Sequence, residues 1–358
     1  MKLNEDKLAS AEKTLIVTGN GFDLKCGLKS SYSDFYDWCK EQVNGFDNMI
    51  ELISQNVSFS SFDRFQKFRK FFRAASNQTT TVWDLYLIMH SRPSTNQWHN
   101  IEELIVNSFE SGFWDKVYKE FYNFSQSPNY SKDSIESLFG AIMMDRYFTN
   151  WFAEIEIGKK ETSEESFYVS LLNELNKFEK RFGFYIEEQF QSSSEYINNQ
   201  NNLLDKLLNE TSNSSDYKIV SFNYTPYYKV DHLNIHGTYK QPILGISIEN
   251  STHKYASMFT KPFRRIVNNL SRIQRFIGDD YVHVIFYGAS LSDLDLDHYK
   301  LILEKESIKK IYFCYSEYDG PNRRKKFIRA VHNLIDKIFS NQIYDLYNKK
   351  EVIEIVKI

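Results

Sequence analysis

The sequence predicts an α/β fold in which a mostly parallel sheet carries a large helical insertion. Three observations lead there. Near the N-terminus a short β-branched run, Thr14-Leu15-Ile16-Val17-Thr18, stops abruptly in Gly19-Asn20-Gly21-Phe22-Asp23, the pattern of a buried parallel strand feeding a glycine turn. Comparable runs return after residue 215 and again end on glycine or polar residues. Between them lies a long aromatic and acidic stretch with little strand signal, its apolar residues set at helical spacing.

In chain order, the first strand and its glycine loop are followed by Ser31 with Asp34 three residues on. That pair resembles a capping box opening an amphipathic helix through Phe35, Trp38 and Val43. From about residue 46 to 210 the texture is helical, clearest over residues 167–190. There Phe167, Leu171, Leu175, Phe178, Phe182 and Tyr185 recur at three- and four-residue steps and mark one helix face. Polar runs at 191–202 and 209–216 punctuate the stretch, the second reading as a loop before the next strand. Strand signals then fall at 217–222, 232–237, 242–245, 282–288 and 310–315, with a helix near 296–304. The expected organisation is therefore a Rossmann-like nucleotide-binding domain from residues 1–45 and 215–358, with residues 46–214 as the helical insertion.

Composition narrows the function classes. A chain of 358 residues holds one large or two modest domains, since single cores stop growing at about 250–300 residues. At 42 % hydrophobic and 16 % aromatic, with 29 Phe and 24 Tyr, it has ample material for packed cores and is not globally disordered. A formal net charge of −3 gives no generic attraction to polyanions, so nucleic acid is not expected as a partner. Cys26, Cys39 and Cys314 are odd in number and widely spaced. They offer neither a disulfide framework nor a zinc knuckle and fit a reducing, cytoplasmic setting. The charged N-terminal stretch is no secretory signal. No run approaches the roughly 18 apolar residues of a membrane span, so no membrane partner is expected.

Three features carry chemistry. In the glycine loop, Gly19 and Gly21 permit positive φ and close backbone approach, and the following helix would aim its amides at a phosphate. The loop lacks the full G-x-G-x-x-G fingerprint, so a plain tight turn is the competing reading. Asn20 and Asp23 add polar groups for a ribose or amide, although Asp23 also suits a helix N-cap. The second feature pairs Asn223, in Phe222-Asn223-Tyr224-Thr225, with His236 beside Gly237. Asn223 at a strand end can fix a carboxamide or a water, and histidine is the side chain type suited to general-base work at neutral pH; a strand-end His is also often structural. The third is Tyr287-Gly288-Ala289-Ser290-Leu291-Ser292-Asp293-Leu294-Asp295. Gly288 and Ser290 there suit a ribose or diphosphate, or else form a turn in which Ser292 caps the next helix. Asp293, Asp295 and Asp297 with His298 lack the pattern of a calcium loop and read as a solvated helix start, so no metal is expected.

Together these segments resemble the AbiH family. The resemblance rests on residues 15–23, Gly27-Leu28, Ser31-Tyr32-Ser33-Asp34-Phe35, Trp98 with Glu102, Phe222-Asn223-Tyr224-Thr225, His236-Gly237 and Tyr287-Gly288-Ala289-Ser290-Leu291. It implies bacteriophage abortive infection. A more distant similarity is to sirtuin-like NAD-consuming domains, which share the order of glycine loop, strand-end Asn and His-Gly. That similarity implies a nucleotide loop at Gly19, Asn20, Gly21, Phe22 and Asp23, a water-positioning Asn223 and a base at His236. NAD is then the candidate substrate, with no resident cofactor. Thr225 stands where an acidic residue is expected, and the four-cysteine zinc module is missing, which argues against protein deacylation. Two alternatives remain open: a nucleotide-sensing module without catalysis, and a metal-dependent nuclease using the Asp run and the basic Arg323-Arg324-Lys325-Lys326 stretch with Arg329. The insertion is the expected place for a phage or host trigger to act, or for a homo-oligomer surface.

Overall fold

The computed structural model describes residues 12–54, 62–74, 79–90, 101–127, 134–153, 163–246, 253–267, 273–316, 321–339 and 352–358. The chain divides into two compact units, one of Met1–Ser30, Ile186–Tyr239 and Asn269–Ile358, the other of Ser31–Tyr185 and Lys240–Asn268. Strands run in the order β1 (Lys13–Thr18), β2 (Tyr217–Ser221), β3 (His232–Asn234), the two-residue β4 (Gly237–Thr238) and β5 (Gln241–Pro242), β6 (Tyr281–Tyr287), β7 (Lys310–Tyr315) and β8 (Ile353–Lys357). Helices are α1 (Asn20–Lys25), α2 (Tyr32–Gln42), α3 (Phe46–Ser54), α4 (Phe62–Arg73), α5 (Val82–His90), α6 (Ile101–Glu110) and α7 (Phe113–Gln126). There follow α8 (Ile135–Ala153), α9 (Glu164–Ser192), α10 (Tyr196–Asn209), α11 (Lys261–Val267), α12 (Ile273–Ile277), α13 (Leu296–Leu303) and α14 (Pro321–Phe339).

The first unit holds a six-stranded sheet in the order β3-β2-β1-β6-β7-β8, and every neighbouring pair is parallel. Leaving out β4 and β5, the order is the doubly wound one in which the winding reverses between the first strand and its later neighbour, here β1 and β6. Thr18 lies opposite Ser221 on one side and Tyr287 on the other, so the carboxyl ends of β2, β1 and β6 finish level.

Period-two alternation explains why these strands read as unbroken apolar runs. Leu15, Val17, Val284, Phe286, Ile311 and Phe313 join a core with Tyr299 and with Val331, Leu334 and Ile335 of α14. Their neighbours Ile16, Ile285, Tyr287, Tyr312 and Cys314 join a second core with Phe22, Cys26 and residues 203, 204, 207 and 208 of α10. Each strand is thus covered on both faces, which is the burial a parallel sheet requires.

The second unit is helical. Its α2 begins as the spacing predicts: Ser31 Oγ accepts from the Asp34 amide at 3.1 Å, and the Asp34 carboxylate accepts from the Ser31 amide at 3.2 Å. Phe35 packs against Phe178, Phe182 and Tyr185 with ring centroids 5.1–5.6 Å apart. In this division the unit opens at Ser31. Trp83 donates from Nε1 to the Leu171 carbonyl at 3.1 Å and meets Trp114 edge to face at 5.0 Å. Charges are buried here in pairs: Glu179 with Arg264, Glu102 with Lys261, Asp84 with Arg181. Trp98 lies outside the described residues.

One expected strand is corrected. Beyond Pro242, the run 242–245 adds nothing to the six-stranded sheet. The Leu244 amide donates to Glu179 Oε1 at 2.6 Å and its carbonyl accepts from Arg264 at 2.6 Å, so side chains satisfy the backbone where a strand would use a neighbour. Among the described residues no helix is long and apolar enough to cross a membrane.

Candidate functional site

The carboxyl ends of parallel strands share one edge, so the loops after β1, β2, β3 and β6 converge there. Closest of all are those after β1 and β6. The Gly19 amide donates to the Tyr287 carbonyl at 3.2 Å and the Gly21 amide to the Gly288 carbonyl at 2.9 Å. A Cβ on Gly19 would stand 2.4 Å from Ala289 Cα, one on Gly21 2.8 Å from Gly288 Cα, and one on Gly288 2.3 Å from the Phe22 nitrogen. The three glycines therefore interlock backbone against backbone across the point where the winding reverses. Gly19 is extended, with φ −133°, so close approach and not positive φ is its requirement; Gly288, at φ +71°, needs both. Leu291 further along the same loop is also left-handed, at φ +54°, a conformation costly for a side-chain-bearing residue. Two amides of the glycine loop are thus engaged by the chain leaving β6.

Asp23 is not a helix cap. It sits inside α1, whose N-cap is Gly19, and it is 1 % exposed. Tyr196 donates its hydroxyl to Asp23 Oδ1 at 2.7 Å, and Thr225 donates its hydroxyl to Oδ2 at 2.8 Å. Burial pushes the Asp23 carboxyl up to about 6, against the opposing pull of hydrogen bonds from Tyr196, Thr225 and Asn223. Asn223, also buried, donates from Nδ2 to the Gly19 carbonyl at 3.0 Å, tying the loop after β2 to the loop after β1. Asn234 donates to the carbonyls of Asn223 at 2.7 Å and Thr225 at 2.8 Å and so braces that loop from β3.

His236 follows β3 directly, and its Nε2 lies 2.9 Å from Asp295 Oδ1. Both side chains are buried. This pair joins the loop after β3 to the turn after β6, spanning the ends of the two strands between them. The Phe222 ring stands nearly perpendicular to the imidazole at 5.4 Å and also meets His298 and Tyr299. The expectation of a solvated helix start at residues 293–298 is half right. Asp293 and Asp297 are exposed, Asp293 pairing with Lys337, whereas Asp295 and His298, three apart, turn inward. Ser292 precedes the short 3-10 turn of Asp293–Asp295 without capping it through its side chain. Among the described residues no group of three or more His, Cys, Asp or Glu could hold a metal ion.

Of the residues singled out from sequence, Gly19, Gly21, Asp23, Asn223 and Gly288 come together in one bonded set, and His236 stands on the same edge. Phe22 is fully buried, its ring 5.7 Å from Tyr227 and 6.1 Å from Tyr287, and belongs to the core. Asn20 and Ser290 lie at the surface, Asn20 accepting from Ser30 at 2.5 Å and Ser290 donating to Ser292 at 3.2 Å. Sequence reasoning missed Tyr196 and Asn234, and raised Asp295 only within an acidic run, not as a partner of His236. Asp295 had a signal in its i, i+3 relation to His298; Tyr196 had none.

Comparison with known proteins adds one finding. The sequence model of the family described as Bacteriophage abortive infection AbiH matches residues 15–317, most of the chain. No curated protein and no solved structure matches.

Proposed function

The chain belongs to the bacteriophage abortive-infection family AbiH, and from that defence role we propose that it binds NAD at the carboxyl edge of its parallel sheet and hydrolyses the nicotinamide–ribose bond. The observation that carries the reading is the buried His236–Asp295 pair at that edge, placed where doubly wound sheets take their ligands. A carboxylate on one imidazole nitrogen fixes the tautomer and orientation of a base. The imidazole held in this way is the candidate proton acceptor.

Asn223 supplies the second role. Its Nδ2 is committed to the Gly19 carbonyl, so Oδ1 is the acceptor left to hold a water. That water adds through oxygen to C1′ of the ribose. The C1′–N bond breaks with its electron pair passing to the nicotinamide nitrogen, and nicotinamide leaves neutral. The proton lost by the water goes to the His236 imidazole. Since the amides of Gly19 and Gly21 bond to the β6 chain, diphosphate binding falls to the groups that remain on the loops after β1 and β6, Asn20 and Ser290 among them.

The test incubates purified wild type, His236→Ala and Asp295→Asn with NAD and a chelator, with and without lysate of infected cells, and follows nicotinamide. His236→Ala should lower turnover by about 10²–10⁴-fold, the usual worth of a general base, and Asp295→Asn by less. No release by wild type under either condition rejects hydrolysis; calorimetric binding of NAD without release would favour a nucleotide sensor.

A further inference from the structure

We propose that, whatever the nucleotide site does, the exposed face of α14 binds the phosphate backbone of a nucleic acid without reading its sequence. Residues 321–339 hold six Lys and Arg against the single Asp336, so this helix carries a net charge of +5 while the rest of the chain carries −8. The overall −3, which gives no generic attraction to polyanions, is an average that conceals this local excess.

Arg324, Lys325, Lys326 and Arg329 are all exposed, and among the described residues none of the four pairs with a carboxylate. Lys337 of the same helix does, with Asp293. Nor do the four serve the helix itself. The positive end of a helix dipole favours carboxylates and the far end favours cations, yet the first turn of α14 holds no acidic residue and the four cations fall early in the helix. At about 100° per residue, Arg324 and Lys326 diverge by about 200°, with Lys325 and Arg329 between them. One compact diphosphate cannot meet all four, whereas a strand with a phosphate at about every 3.4 Å of axis can lie across the fan.

An anionic membrane attracts cations too, but a helix held at a lipid surface needs an apolar face free to enter it. That face of α14 is spent: Val331, Leu334 and Ile335 are buried in the sheet core, with Phe327, Ala330 and Ile338 packed against it. Ile328 is the one large apolar side chain of α14 exposed among the described residues. The exposed side chains around the cations include no Phe, Tyr or Trp on which bases could stack, so contact is with phosphate and carries no sequence information. The Phe327 ring, next in sequence to Lys326, lies 5.7 Å from that of Tyr315, the last residue of β7. The cations therefore stand at the carboxyl edge of the sheet.

Fluorescence anisotropy tests this with the full chain and three labelled probes: a short single-stranded DNA, its duplex, and the matching RNA, each at about 50–200 mM salt. Four phosphate contacts predict that log Kd rises with log salt at a slope of about 2.8 for a single strand and about 3.6 for a duplex, a loss of roughly 50–150-fold in affinity across that range. Lys325→Ala with Arg329→Ala should halve the slope. Lys116→Ala with Lys180→Ala removes as much charge from exposed positions of the helical unit and should leave the slope unchanged. All four side chains are exposed, so folding is retained, and thermal melts check it. The probe that binds most tightly identifies the form of nucleic acid the face takes. Absence of binding by all three at the lowest salt, or equal losses in the two double variants, overturns the proposal. Phosphatidylserine vesicles that bind in place of the nucleic acids, with the same dependence on Lys325 and Arg329, would make the face a membrane contact and overturn it too. No arm depends on NAD cleavage, so the two readings fail separately.

Discussion

Replacing Gly288 by alanine measures how much of the fold depends on the interlocked glycines, with Gly27→Ala as its control. Both glycines are left-handed, Gly27 at φ +90° and Gly288 at φ +71°, so each variant suffers the cost of a side chain at positive φ, about 1–2 kcal/mol. They differ in surroundings. Nothing lies within 4 Å of a Cβ on Gly27, whereas one on Gly288 would be 2.3 Å from the Phe22 nitrogen and 2.6 Å from the Gly21 carbonyl carbon. Ordinary contact begins at 3.4 Å, so the two loops must part by roughly an ångström, which backbone packed this tightly resists. The bond from the Gly21 amide to the Gly288 carbonyl, now 2.9 Å, is then lost. Leaving those groups unsatisfied costs about 1–3 kcal/mol more. Gly288→Ala should therefore cost about 2–5 kcal/mol against about 1–2 for Gly27→Ala. Urea unfolding of the two variants beside wild type decides it: equal losses would show that the close approach contributes nothing.

Two further predictions concern buried charge. Asp23 has its carboxyl raised from 3.8 to about 6, so the stability this group contributes is fully present below pH ~3.8 and lost as pH rises through ~6. At about 1.4 kcal/mol per pH unit the loss totals ~3 kcal/mol, of which ~1.4 is still retained at pH 5; wild type minus Asp23→Asn should fall by that amount between pH 5 and 7.5 in denaturant titrations. In the helical unit, the buried Arg264 donates to Oε2 of the buried Glu179 at 2.6 Å and to the half-buried Asn176 at 2.7 Å. Glu179→Met alone should cost about 3–5 kcal/mol because it strands a guanidinium, and adding Arg264→Met should recover part of that loss; additive losses in a double-mutant cycle would contradict the coupling.

What could be read from sequence is what short-range chemistry determines. The Thr14–Thr18 strand, the Ser31–Asp34 cap and the helix through Phe167 and Tyr185 each carry a complete local signature, and each is present. Gly19 and Gly21 were legible as sites of close approach, but a sequence gives no sign of what approaches; here it is Gly288, more than 260 positions away. The site's partners share that difficulty. Tyr196 reaches Asp23 across 173 positions and Asp295 reaches His236 across 59, distances that only the sheet order closes. Asp293, Asp295 and Asp297 look alike in sequence, and their separate fates follow from which side of a turn meets the core. Residues 242–245 have strand composition, yet their backbone bonds go to Glu179 and Arg264.

Asn223 holds two strand-end loops together as well as facing the site, so its removal confounds chemistry with structure. Asn223→Asp separates them by charge. The substituted carboxylate keeps the shape of the amide but replaces the donor to the Gly19 carbonyl by an acceptor, and it puts a second carboxyl near the buried Asp23, on whose charge Asn223 acts. Like charges that close cannot both ionise comfortably, and one of them takes up a proton. At pH 8 the repulsion at the Gly19 carbonyl and at Asp23 should make Asn223→Asp less stable than Asn223→Ala, by about 1–3 kcal/mol. Near pH 5 one carboxyl is protonated and donates to the other, so the gap should close or reverse. Thermal melts of the two variants across that range provide the measurement. A difference that stays constant with pH would mean that residue 223 and Asp23 do not sense each other's charge, and the arrangement described at the sheet edge would be wrong at its centre.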